Sequence, residues 1–493
     1  MKNIKLRATL LFPLLAGALI GCTTNKSSGE QSSKQDSNST QPAKSVEIRF
    51  WHTFGQTIVD GLKTKIESYQ KLVKEHDNVD VTVTLTYQGS YDDIATKISN
   101  GFSVGNKPTI AVAYPDNVAN YLEIAKSANE EFVVDLDKYI DDKSVGFGKE
   151  SWLGDKEDAD DFVEGFYSEG SKYNVSGTYS LPFMKSTEIM FYNLDLVTYA
   201  MKGYRPDFHD SAEMIKEYMS TLTWDEFINF CTYIKTNMND ISDNLEVPFV
   251  YDSDANFFIS KLYQENIPYA SIGNDGKGSI DFAKEGNREK TIKFLEDAHD
   301  LYANGLLTTK GVRGTYGSDF FTGEKCVFSI GSSGGSGYNF PQGGAFELEV
   351  CRVPASNNNP LYVSQGPTLA LFHDDNVDPD VELYAWKFMK YITSTEVNAS
   401  LCADNSEGYI PVRYSSYETS KFLSYLEEGE NYAKCAKVVV NEIKGKYLVS
   451  PAFKGSAELR DECGSLLTAS LTKSKDQIPT LLQTAVDNAI MKL

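Results

Sequence analysis

Val46, Ile48 and Phe50 alternate with Glu47 and Arg49, and the alternation runs out at Trp51-His52-Thr53. A period of two puts alternate side chains on opposite faces of an extended chain, so this stretch predicts a β-strand. Behind it Ile58, Leu62, Ile66, Tyr69 and Val73 recur every three or four residues, the spacing of one helix face. Period two returns at Val79, Val81, Val83, Leu85 and Tyr87, interleaved with Asp80, Thr82, Thr84 and Thr86. A second helix is predicted from Tyr91 to Phe102, and a third strand from Thr109 to Tyr114 after the turn Gly105-Asn106-Lys107-Pro108. Strands and helices alternating at this spacing predict a mostly parallel sheet covered on both faces. Such sheets bind ligands beyond the carboxyl ends of their strands, which singles out Trp51-His52, Gln88 to Tyr91 and Tyr114 to Asp116.

A second αβ region follows. Ile189 to Tyr192 is apolar and strand-like. Thr223-Trp224-Asp225-Glu226 has the form of a capping box, with Phe227, Phe230, Cys231 and Ile234 on the helix face behind it. Val381 to Thr393 predicts another amphipathic helix, with Leu383, Trp386, Met389 and Ile392 on one side. No repeat of 20–50 residues is visible.

The first 45 residues are built differently. Lys2, Lys5 and Arg7 precede an apolar run from Ala8 to Ile20, broken only by Thr9, Pro13 and Gly17. That run is too short to span a bilayer and reads as a cleaved export signal over residues 1–21. Its ending, Leu19-Ile20-Gly21-Cys22, resembles the lipobox of bacterial lipoproteins. The resemblance implies a diacylglycerol on the Cys22 thiol and a place on the extracytoplasmic face of the cell membrane; the competing reading is a secretory signal with an incidental cysteine. Thr23 to Thr40 is rich in Ser, Lys, Gln, Asn and Asp, a composition that cannot bury enough surface to offset its ordering entropy. Residues 22–45 therefore read as a lipidated cysteine and flexible tether, with the folded body starting near Val46.

Charge narrows the partners. The chain carries a net charge of −22, and loss of residues 1–21 would leave −25. A body this acidic repels nucleic acid and anionic lipid surfaces, which argues against both as partners. Most of the aromatics, 29 Tyr, 27 Phe and 4 Trp, must be core, and Tyr at this frequency also suits a pocket for polyhydroxylated molecules. Beyond Cys22 stand Cys231, Cys326, Cys351, Cys402, Cys435 and Cys463, at long spacings and without a C-x-x-C. Disulfides and buried free thiols are both compatible with that. His52, His76, His209, His299 and His373 are scattered without zinc-like spacing, and no cofactor is expected.

From Val46 to about Leu493 the ordered set of short motifs resembles the solute-binding proteins that feed ABC importers for sugars and related molecules. Its carriers are Phe50-Trp51-His52, Tyr87-Gln88-Gly89-Ser90-Tyr91, Gly105-Asn106-Lys107-Pro108, Leu181-Pro182-Phe183, Ser186-Thr187 and Tyr192-Asn193. Thr223-Trp224-Asp225-Glu226, Phe320-Phe321-Thr322-Gly323-Glu324 and Gly408-Tyr409-Ile410-Pro411-Val412 continue it. Within that family the chain is most similar to binding proteins for glycerol-3-phosphate and its diesters. The resemblance implies an α/β, two-lobe periplasmic-binding-protein-like fold with an interlobe cleft and several hinge crossings. The first lobe would hold 46–182 plus 361–408, and the second 183–360 plus 409–493. It implies ligand contacts at Tyr91, Ser186, Ser332, Gly366, Tyr409 and Arg460. It further implies a monomer that closes on a sugar or polyol phosphate, hands it to ABC permease subunits and catalyses nothing. One departure stands out: the family has a glutamate directly after the tyrosine at the third strand's tip, whereas here Pro115 occupies that place and Asp116 follows.

Each candidate has a plainer reading beside it. Arg460, within Ala457-Glu458-Leu459-Arg460-Asp461-Glu462, is either a fork-shaped donor to phosphate or a surface charge paired within one turn. Arg313 reads as a solvated loop charge. The run Gly331 to Gly337 offers backbone N–H groups and hydroxyls in the manner of an anion nest, or is a flexible crossing. It lacks the Gly-Lys-Ser/Thr of a P-loop. Tyr91 and Tyr409 present ring faces to a polyol or pack in the core. Asp116 accepts ligand hydroxyls or caps a helix. Trp51 and His52 pack at the lobe edge. Two other classes remain, an exported glycoside hydrolase and a surface adhesin. The sequence shows neither a recognisable carboxylate pair nor a Gly-x-Ser-x-Gly.

Overall fold

Strand β1 (Lys44–His52) starts two residues before the predicted body, because Lys44 and Ser45 already pair with Val79 and Asp80 of β2 (Val79–Tyr87). This is a computed structural model, and it describes residues 44–101, 107–209, 211–356, 359–405, 407–443 and 445–493. The predicted signal, Cys22, the tether up to residue 43, Phe102 and the Gly105-Asn106 half of the turn lie outside the described residues.

Helix α1 (Gln56–Asp77) buries Ile58, Leu62, Ile66, Tyr69 and Val73, the stripe its spacing predicts. Helix α2 spans Tyr91–Gly101, and β3 is shorter than predicted, Ile110–Ala113. Pro115 then opens α3 (Pro115–Ala128): its fixed φ suits the first helical turn, where its missing N–H would have no partner. Asn117 Oδ1 accepts the Tyr114 N–H at 3.0 Å and ties that turn.

Strands β1, β2 and β3 are parallel, as predicted. The sheet is nonetheless mixed. β4 (Leu181–Pro182) and, from far along the chain, β13 (Thr368–Leu371) complete the order β2-β1-β3-β13-β4, with β13 antiparallel to both β3 and β4. A strand arriving from another part of the fold is free of the right-handed crossover that makes neighbours parallel, and local periodicity carries no trace of it.

The second sheet is also mixed, in the order β11-β5-β10-β6-β9. Its strands are β5 (Glu188–Asn193), β6 (Phe249–Tyr251), β9 (Leu307–Thr309), β10 (Phe328–Ser332) and β11 (Leu348–Arg352). Two small pairs, β7 (Ala270–Ile272) with β8 (Gly278–Ile280), and β12 (Tyr362–Val363) with β14 (Tyr447–Leu448), lie outside it. The capping box at Thr223 forms as predicted: its Oγ1 accepts the Glu226 N–H, Glu226 accepts the Thr223 N–H at 2.9 Å, and the helix Trp224–Thr236 follows. The helix predicted at Val381–Thr393 runs Pro379–Ile392.

Three extended crossings lie side by side between the sheets. Lys185 and Ile410 exchange backbone hydrogen bonds at 3.1 and 2.8 Å, and Ser186 and Gln365 at 2.9 Å each way. Buried Asn398 clips two of them, donating to the Phe183 carbonyl at 2.8 Å and accepting the Val412 N–H at 2.9 Å. Multiple crossings leave hinge bending as the soft motion while resisting separation of the lobes. The six described cysteines are buried free thiols. Among the described residues no helix is long and apolar enough to cross a membrane, and no group of His, Cys, Asp and Glu is arranged for a metal ion.

Candidate functional site

The ends of both sheets that face the crossings supply one cluster of side chains. From the first sheet come Tyr91 at the start of α2, Tyr114 just past β3, Asp116 in the first turn of α3, and Gly366 just before β13. From the second come Ser186 and Glu188 at the start of β5, Tyr251 at the end of β6 and Ser332 at the end of β10. The helix Ser456–Thr472 brings Arg460, packing on the helices Asp254–Gln264 and Arg288–Ala303.

Three tyrosines line one side. The rings of Tyr91 and Tyr114 are tilted at 46° with centroids 4.4 Å apart, and Tyr409 lies close enough to act on the Tyr91 hydroxyl and to be acted on by that of Tyr114. Burial raises all three phenol pKa values, so each hydroxyl stays protonated and able to donate. Tyr114 still exposes 37 % of its surface, the most open ring of the three. Its hydroxyl lies near the Gly366 backbone. The Gly366 carbonyl accepts from Lys185 Nζ at 3.2 Å, and Lys185 pairs with Glu169 at 2.5 Å with both side chains buried.

Opposite them, Ser332 Oγ donates to Ser186 Oγ at 3.3 Å. The anion nest predicted at Gly331–Gly337 is partly committed. Ser333 N–H donates to the Thr187 carbonyl at 2.8 Å and Gly334 N–H to Ser332 Oγ at 3.3 Å, as the chain winds into a 3-10 turn. Gly334 packs under Tyr409, where a Cβ would meet the ring at 2.7 Å.

Arg460 is half-buried and donates to Asn256 Oδ1, so the surface pairing within its own helix turn is not what holds it. Its charge reaches Tyr114, Asp116, Glu188 and Tyr269. Asp116 Oδ1 accepts from Ser456 Oγ at 2.6 Å, and burial raises its carboxyl against the opposing pull of Ser456 and Arg460. Glu188 Oε2 accepts from Tyr251 at 2.6 Å, and burial pushes its carboxyl up to about 7.

All seven candidate contacts thus fall in one neighbourhood. Trp51 and His52 are buried, as predicted, with burial lowering His52 to about 4. Arg313 is exposed at the end of the short helix Lys310–Arg313, stacked over Phe320 at 3.4 Å. Tyr114 lies in the strand tip that the sequence singles out, whereas Asn256, Tyr251 and Glu188 were not among the expected contacts. Glu188 had a signal: it is the one acid at the mouth of an otherwise apolar strand, two residues after Ser186. A groove of about 970 Å³ bordered by Trp224, Phe257, Lys261 and Phe294 shares no residue with the cluster.

A family model for bacterial extracellular solute-binding proteins matches residues 66–427. The sn-glycerol-3-phosphate-binding periplasmic protein UgpB of Shigella dysenteriae is 20 % identical over 405 residues, covering 80 % of this chain and 81 % of its own, and UgpB of Escherichia coli K12 matches to the same extent. Among solved structures, the cyclic α-maltosyl-1,6-maltose binding protein of Arthrobacter globiformis superposes with a TM-score of 0.66 at 17 % identity, over 91 % of this chain and 99 % of that one. UgpB of Mycobacterium tuberculosis in complex with glycerophosphocholine gives 0.63 at 15 % identity, over 90 % and 99 %. At such identities the structural likeness speaks to the fold, which is the two-lobe periplasmic-binding-protein type with the crossings as hinge. With the family model covering most of its length, the chain belongs to the bacterial extracellular solute-binding protein family.

Proposed function

We propose that this protein captures a glycerophosphate-type solute between its lobes and delivers it to the transmembrane subunits of an ABC importer, without making or breaking a bond. The observation that carries the ligand class is the convergence of Arg460 with the hydroxyls of Ser186, Ser332 and the three tyrosines. A guanidinium presents two donors to an oxyanion, while tyrosine faces and hydroxyls suit a polyol. Tyr91, Asp116, Ser186, Ser332, Gly366, Tyr409 and Arg460 are the proposed contacts. With lobe limits taken near residues 182, 360 and 408, these contacts would stand on both sides of the cleft. Ligand touching both lobes favours the closed form, and only that difference in contact shifts the equilibrium. The family assignment and the relatives named for sn-glycerol-3-phosphate support this reading. The export-signal pattern supports attachment of a monomer through Cys22 to the outer face of the cell membrane.

An oligosaccharide is the second reading, favoured by the same tyrosines and by the fold shared with a maltosyl-maltose binding protein. A thermal-shift screen of sugars, polyols and phosphate esters decides between them, because a ligand at a hundred times its Kd adds about 2.7 kcal/mol to stability. Glycerophosphate esters raise Tm and neutral oligosaccharides do not if the first reading is right. The reverse result replaces it with the second, and turnover of a chromogenic glycoside would place the protein among hydrolases.

A further inference from the structure

Glu188 is 3 % exposed, and its Oε1 has no hydrogen-bond partner. Its neighbours form a chain through the second sheet. Tyr251 donates to Oε2 at 2.6 Å, Asn256 lies beside the carboxylate, and Asn256 Oδ1 accepts from Arg460. The Asn256 amide thus stands between the acid and the guanidinium. A void of about 10 Å³, room for about one water, borders Glu188 together with Ser260, Lys261 and Gln264.

The charged groups facing Glu188 are few. Arg460 comes from the helix Ser456–Thr472 and Asp252 from the end of β6, and Lys261 lies across the void from the helix Asp254–Gln264. Ser332, its register partner on β10, is uncharged. Lys261 is already held by Glu265 at 3.1 Å and by Ser356 at 2.5 Å, and Asp252 accepts the Gly317 N–H at 2.5 Å. Arg460 is thus the cation left to face Glu188, and it also faces Asp116. One positive charge opposite one buried and one half-buried acid balances a single added negative charge poorly and a second one worse, since like charges in a dry site repel strongly.

Resting on the phosphate-ester reading above, we propose that Glu188 is a specificity-determining residue of this site: it admits a singly charged oxyanion, such as a phosphodiester, beside Arg460 and disfavours a doubly charged phosphate monoester. A monoester loses its second proton near a pKa of about 6, whereas a diester keeps one charge throughout. Burial places Glu188 at about 7, so monoester and acid gain their charges over adjoining pH ranges. Asp116 is occupied by Ser456, whereas Glu188 keeps an oxygen not bound within the protein.

The test is calorimetric titration of the natural protein and Glu188→Gln with sn-glycerol-3-phosphate and with its methyl diester. At about pH 8 the natural protein binds the diester more tightly by about tenfold or more, and E188Q narrows that ratio by a similar factor. In the natural protein the ratio shrinks on going from about pH 8 to about pH 5.5, as both the ester and the acid take up protons. Tyr251→Phe, which removes a donor to the carboxylate and so favours its protonated form, narrows the ratio in the same direction and serves should E188Q fold poorly. A ratio unchanged by E188Q and Y251F and flat with pH, with both esters bound, overturns the charge filter alone. If neither ester binds the natural protein at any pH, the phosphate reading falls and the filter falls with it.

Discussion

Asp116 and Ser456 are 340 residues apart, yet the Asp116 carboxylate accepts the Ser456 hydroxyl at 2.6 Å, joining the first turn of α3 on the first sheet to the first residue of the helix that carries Arg460. This bond ties the two sides of the site. Ser456→Ala removes the donor and leaves a buried carboxylate short of a partner, a cost of about 1–3 kcal/mol. The ligand-free variant is expected to open more readily, read as a larger radius of gyration in small-angle scattering and a lower Tm. Dimensions and Tm equal to those of the natural protein would show that the bond restrains nothing.

Arg460 is the proposed oxyanion contact, so Arg460→Ala should weaken binding of a phosphate ester by about 2–5 kcal/mol, the range for truncating one partner of a hydrogen-bonded charge pair. A neutral sugar, if bound at all, should be nearly unaffected. Equal affinity for the ester before and after the change, measured by calorimetry, would remove the role given to Arg460.

Two buried groups give stability opposite slopes with pH. His52 is stacked on Phe54 and accepts the Phe54 N–H at Nδ1, and burial depresses it from 6.5 to about 4. Between those values the unfolded chain binds the extra proton, so stability falls as pH drops through that window, by about 3 kcal/mol. Glu188 is raised from 4.5 to about 7, the folded chain binds the extra proton there, and stability falls as pH rises through that window by a comparable amount. The slopes oppose each other from about pH 4.5 to 6.5. Urea unfolding of His52→Asn should therefore lose the acid-side decline, and that of Glu188→Gln the decline towards neutrality. A pH profile unaltered in both variants would contradict these shifts.

Gly366 has φ of +97°, and a Cβ there would lie 2.4 Å from the Met184 carbonyl oxygen in the neighbouring crossing. Gly366→Ala should destabilise the protein by about 1–3 kcal/mol through backbone strain alone, with more from the displaced crossing. It should also disturb Tyr114, whose hydroxyl lies near the Gly366 backbone. Unfolding and ligand titration of the variant check both effects.

Lys390 is fully buried between Glu150 at 2.8 Å and Asp155 at 3.0 Å, anchoring the segment before β4 to the helix Pro379–Ile392. Lys390→Met leaves Asp155 without its cation and Glu150 with Lys387 alone, and should cost about 3–5 kcal/mol, with partial recovery when Asp155→Asn is added. Midpoints of denaturant unfolding at neutral pH measure it.

Local periodicity was enough for β1, α1, β2, the Thr223 capping box and the helix following Asp378, because burial of one face writes a period of two or 3.6 into the residues themselves. Six of the proposed contacts were named for another reason, that short motifs in a set order resemble a family even where each is weak, and Asp116 because it follows the tip of β3. The tertiary structure alone decided that β13 enters the first sheet antiparallel, that Asp116 is occupied by Ser456, and that Arg460 faces Glu188 and bonds Asn256. Those facts depend on pairings between residues tens to hundreds of positions apart. Such pairings are selected by the packing of the whole chain, and no single stretch of residues encodes them.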